Sequence, residues 1–139
     1  MKQQLNNVIG FMQGRFSPLV DGKIQAFPWD YWSKEFAIAQ QNQFYKMEWT
    51  LDQNRLYENP LMTKKGRQTI QRLSRQCQIN IPSLTGDCFM QAPFYKTSGV
   101  SRRNLLEDLK NIISACSDIG IHLILIPLVD TGRLENESQ

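Results

Sequence analysis

Glu48 lies inside an apolar and aromatic segment, between Met47 and Trp49. A carboxylate is costly to bury there unless it is paired or ligated. It is therefore a candidate site residue; an edge or salt-bridged position is the alternative. Asp52 follows closely. Three other groups occupy comparable places, each just after an apolar run: Gln13 with Arg15, Asp87, and Asp130 followed by Arg133 and Glu135. Arg15 has the fork geometry to hold a phosphate through two hydrogen bonds, or it pairs with an acid of its own loop. Gln13 could instead cap a strand end. Asp87, in Thr85-Gly86-Asp87, could instead close a turn with a side-chain hydrogen bond.

These residues share one position in a repeating pattern. Short apolar runs at Val8–Met12, Phe44–Trp49, Ile79–Leu84 and Ile121–Val129 read as strands. Helical periodicity fills the gaps. Trp32, Phe36 and Ala39 form one stripe, with Asp30 as a cap. Ile70, Leu73 and Cys77 form the second, capped by Thr63. The third is the widest: Leu105, Leu106, Leu109, Ile112, Ile113, Cys116 and Ile119, between Ser101 as cap and Gly120 as stop. The fourth strand is almost continuous Ile, Leu and Val, the pattern of a strand buried on both faces of a parallel sheet. The fold class is thus α/β, about four parallel strands alternating with three helices. In such folds active groups gather at the C-terminal strand ends, where every candidate above falls.

A long loop, rich in Gly, Pro and aromatics, joins the first strand to the first helix and reads as ordered and functional. An eight-stranded barrel needs about 250 residues. The expectation is a truncated TIM barrel, with residues 1–139 as its N-terminal half and Ile121–Val129 as an exposed edge. A complete doubly wound sheet is the rival, but Gly10 and Gly14 do not form G-x-G-x-x-G.

Composition excludes several classes. The net charge is only +3 and the basic residues are dispersed, so no nucleic-acid partner is expected. No run approaches membrane-spanning length. Cys77, Cys88 and Cys116 lack metal or redox spacing and suggest reduced thiols in a cytoplasmic protein, with Cys77 and Cys116 in the core. His122 stands at the start of a strand, the wrong end for barrel catalysis. G-x-S-x-G, H-E-x-x-H and Walker motifs are absent.

The first loop carries a resemblance. Residues 10–18, GFMQGRFSP, then 22–28, GKIQAFP, then Trp32 and Glu35-Phe36, resemble the N-terminus of bacterial sugar phosphate isomerases/epimerases, in the xylose isomerase-like superfamily of TIM barrels. Met47-Glu48-Trp49, Pro82-Ser83 with Asp87 and Phe89-Met90, and Pro127-Leu128-Val129-Asp130 resemble the next three strand ends in order. The resemblance implies proton transfer through an enediolate on a sugar or sugar phosphate, with a divalent metal (Mn, Mg, Co or Zn). In that family the metal ligands and the acid–base pair come from strands beyond the fourth. It therefore implies that Gln13, Arg15, Glu48, Asp87 and Asp130 contact substrate. It also implies that this chain alone binds no metal and is inactive, and that it self-associates or joins a complementary half-barrel chain. A non-catalytic interaction module is the alternative.

Overall fold

One hydrophobic cluster organises the chain. Trp49, Met47, Leu84 and Ile81 meet Phe36 and Ala39, Ile70 and Cys77, and Ile112, Ala115 and Cys116, all buried. The first four are strand residues; the others lie on three helices. The computed structural model describes residues 9–23 and 26–137. Its strands are β1 (Phe11–Met12), β2 (Lys46–Thr50), β3 (Asn80–Thr85) and β4 (Leu123–Leu125). Its helices are α1 (Lys34–Gln41), α2 (Lys64–Cys77), α3 (Asp87–Gln91) and α4 (Gly99–Ile119). The sheet is parallel throughout, in the order β1-β2-β3-β4. The α/β class expected from periodicity is what the chain adopts.

Successive side chains on a strand point to opposite faces. Met47 and Trp49 face the helices, so Glu48 faces the other way. The register extends that second face: Met12 pairs with Glu48, Glu48 with Ser83, Ser83 with Leu123, and Thr85 with Leu125. The carboxylate that looked misplaced in an apolar strand belongs to the face that α1, α2 and α4 leave uncovered.

Local chemistry explains most boundaries. Thr63 caps α2, its hydroxyl accepting the Gly66 N–H at 3.0 Å. Gly66 fits because the helix runs against Pro60; a Cβ there would lie 2.0 Å from the Pro60 carbonyl oxygen. Gly120 ends α4 in the left-handed region at φ 86°.

Several expectations need correction. Asp30 does not cap α1. Residues 28–33 wind into turns, with Trp32 N–H donating to Pro28 O at 2.7 Å, and the helix begins only at Lys34. Ser101 lies inside α4, which starts two residues earlier at Gly99. Ile113 is half exposed, because the buried side of α4 narrows to Ile112, Ala115 and Cys116. The fourth strand is three residues long, and its leucines are not enclosed: Leu123 is 60% and Leu125 54% exposed. β3 lies along one of its edges, and no described strand lies along the other. A fourth helix, α3, follows β3 directly, so the described residues form four α-helices where three were expected. Val8, expected in the first strand, lies outside the described residues. Cys77 and Cys116 are core residues as expected.

Candidate functional site

Glu48 is held from β3. Ser83 Oγ donates to its Oε2 at 2.8 Å and Thr85 Oγ1 to its Oε1 at 2.5 Å. The period-2 alternation of β3 places both hydroxyls on the Glu48 face. Each carboxylate oxygen thus has a fixed donor, and neither donor is a cation. Among the described residues Glu48 makes no ion pair.

Just beyond β2, Asp52 is similarly occupied. Its Oδ2 accepts the Phe27 N–H at 2.9 Å and its Oδ1 the Gln91 amide at 2.9 Å. The Gln91 carbonyl in turn accepts the Gln53 N–H at 2.7 Å. Asp52 therefore ties the first loop, the β2 end and α3 together.

Asp87 differs from both. It opens α3, is 4% exposed, and its carboxylate accepts no hydrogen bond among the described residues. Burial, then the charges of Asp52 and Glu48, push its pKa up to about 6. The side-chain hydrogen bond of a turn, one alternative for this residue, is not made.

Gln13 is buried, and its amide oxygen accepts the Thr50 N–H at 3.3 Å. The Thr50 hydroxyl donates back to Gln13 O at 3.4 Å. Gln13 thereby braces the end of the neighbouring strand, β2. Arg15 is exposed on the first loop, with Nη2 3.8 Å from Met12 Sδ. Asp130 is also exposed, at φ 48°, where it opens a short 3-10 turn. That turn packs on α3, with Thr131 Oγ1 donating to Met90 O at 2.6 Å. His122 is exposed at the start of β4. Glu48, Asp52 and Asp87 are thus brought into one electrostatic neighbourhood, while the side chains of Arg15 and Asp130 are exposed.

Two residues matter more than their types suggested. Glu35, fully buried on α1, receives the Gly14 N–H at 2.9 and 3.0 Å on its two oxygens and the Phe16 N–H at 3.0 Å. Burial raises its pKa, and the Gly14 amide opposes that. Asn59 is 2% exposed and accepts from both Trp49 Nε1 at 3.2 Å and Leu61 N at 3.0 Å. Its sequence signal was the turn-forming Asn59-Pro60 pair. Glu35 gave the weaker signal of an acid flanking the Trp32, Phe36 and Ala39 stripe.

A groove of about 310 Å³ runs along the Glu48 face, bounded by Met12, Lys46, Glu48 and Ser83. Another, of about 270 Å³, reaches Asp52 and Gln91 beside Phe27 and Trp29. Burial pushes the Cys88 thiol up to about 12, so it carries no thiolate chemistry near neutrality. Among the described residues, no three His, Cys, Asp or Glu side chains are grouped to hold a metal ion. None of the described helices is long and apolar enough to cross a membrane. No protein-family model matches the chain, and no curated protein matches it.

Proposed function

We propose that this chain is the substrate-contacting part of a xylose isomerase-like barrel, of the sugar phosphate isomerase/epimerase kind. The observation that carries the reading is the hydroxyl clamp on Glu48. It fixes a carboxylate in the middle of β2, on the sheet face that the helices leave uncovered and two residues before the strand's C-terminal end, the end at which barrel enzymes bind substrate. Asp87 stands beside it with acceptor capacity to offer a sugar hydroxyl. The family implied is metal-dependent, and since no three His, Cys, Asp or Glu side chains are grouped among the described residues, the metal's ligands are proposed to lie on other strands. The work assigned to these residues is orientation: carboxylates that accept hydrogen bonds from hydroxyls fix which carbon faces the acid–base groups. Those groups are proposed to lie on other strands, in a cytoplasmic enzyme.

Saturation-transfer NMR tests this. A panel of aldoses, ketoses and their phosphates should include binders, a panel of nucleosides should not, and Glu48→Gln should abolish the signal. Nucleosides binding as well as sugars, or no sugar binding at all, would overturn the reading.

A second reading is a non-catalytic interaction module, or a half-barrel that assembles with a partner chain. It is favoured by the exposure of Leu123, Leu125, Leu128 and Val129 along and just after β4. An unpaired strand edge with apolar side chains invites pairing. Light scattering across a dilution series should then show a mass above that of the monomer; a monomer at every concentration counts against it.

A further inference from the structure

We propose that the outward side of α2 docks on the phosphate backbone of a double-stranded nucleic acid. The helix carries five cations, Lys64, Lys65, Arg67, Arg72 and Arg75, and no acid. Of these, Arg67 is neutralised by Asp118 of α4, at 2.9 Å. Lys64, Lys65, Arg72 and Arg75 are exposed and make no ion pair among the described residues. With the exposed Gln68 and Gln76, they fall within about 120° of the helix circumference and span about 16 Å of its length. The buried residues of the helix, Ile70 and Cys77, lie on its opposite side. In the sequence these cations are spaced among neutral residues. Winding them into a helix gathers them, which reverses the expectation drawn from their dispersal.

The surroundings do not offset this charge. α1 packs against α2 and exposes Lys34, Gln40 and Gln41, while its one acid, Glu35, is buried. α4 also packs against α2; it carries both signs, and its Asp118 is held by Arg67. Helix stability does not explain the pattern. The helix dipole favours acids in the first turn, where α2 has Lys64 and Lys65 and no acid. Arg72 and Arg75, three residues apart, repel each other. What such a face suits follows from what it lacks. It has no apolar or aromatic side chain to form the dry centre of a protein interface or to insert among lipids. It has no aromatic ring on which the bases of a single strand would stack. Phosphate backbones are held by lysine, arginine and glutamine side chains, the types present here. The strip lies on the side of the helix that faces away from the sheet, so it is independent of the sugar-binding reading.

The test is fluorescence anisotropy of two labelled duplexes, one DNA and one RNA, titrated with the full chain at salt between about 50 and 200 mM. Phosphate contacts from the four cations should give log affinity a slope of about −3 to −4 on log salt, a loss of about a hundredfold across that range. Arg72→Gln with Arg75→Gln should make the slope shallower by about 2. Glutamine is nearly as good a helix former as arginine, and circular dichroism reports whether the fold persists. Should that pair fail to fold, Lys64→Gln with Lys65→Gln carries the same expectation. Lys23→Gln with Arg133→Gln removes the same charge from exposed positions elsewhere and should leave the slope unchanged. Both duplexes binding supports the shared backbone; one binding alone also supports the proposal and names DNA or RNA as its source. Duplexes left unbound at the lowest salt, a slope unmoved by the α2 substitutions, or an equal loss in the Lys23 and Arg133 variant overturns it. Tighter binding to phosphatidylserine vesicles than to either duplex overturns it too, and assigns the strip to a membrane surface instead.

Discussion

Asp87→Asn should make the protein more stable at pH 8, by roughly 1–3 kcal/mol. The cause is the burial of this carboxyl beside the negative charges of Asp52 and Glu48. Its folded pKa, about 6, is above the ordinary aspartate value, so protonation favours the folded state. The contribution of this group is fully present below the unfolded pKa. It is lost as pH rises through about 6, opposite to the usual acid lability of paired carboxylates. Urea denaturation at intervals from pH 4 to 8 checks this. The advantage of Asp87→Asn should be small at the acid end and grow through pH 6. Parallel profiles for the two proteins would show that Asp87 is not held in the way described. A gain on neutralisation would also fit a residue kept for binding rather than for stability.

Glu35→Ala should do the reverse, costing about 2–4 kcal/mol, because it strands the Gly14 and Phe16 N–H groups inside the protein. Glu35→Gln should fall between, since its amide oxygen can still accept while its NH₂ group confronts a donor. The same denaturation experiment measures both, and the Gly14 and Phe16 amide resonances should move first. Full stability in Glu35→Ala would mean that the first loop is anchored by its aromatic contacts, Phe16 against Phe11 and Phe44, instead.

The helices and the parallel sheet were legible because burial imposes a period, and α2 and α4 show it over many residues. Thr63 was legible because capping is local chemistry. What depended on distant neighbours was not. The length and exposure of β4 follow from which strands lie along its edges, and the apolar run at 121–129 is silent about that. α3 is five residues long, too short to show a period; the burial of Cys88 and Phe89 fixes it. Glu48 stood out as a carboxylate in an apolar strand, yet nothing in its own segment identified Ser83 and Thr85 as its partners. They come from a strand about 35 residues on. Gln13 was legible as a residue at a strand end, but its bonds to Thr50 of the neighbouring strand were not. Glu35 was hardest to see, because its partners are backbone groups, which every residue carries alike.

That last point bears on how the first loop can vary. Glu35 grips main-chain N–H groups, so the grip does not depend on which side chains the gripped residues bear. Gly14 is constrained by its φ of 93° and Phe16 by its ring contacts. The exposed positions beyond them, Pro18, Leu19 and Asp21 among them, are not tied to the anchor. A loop fastened at its root by its main chain can exchange the residues at its tip without loosening from the barrel-like frame. Changes in the side chains that the loop presents can then accumulate there one residue at a time, without a matching change in the core.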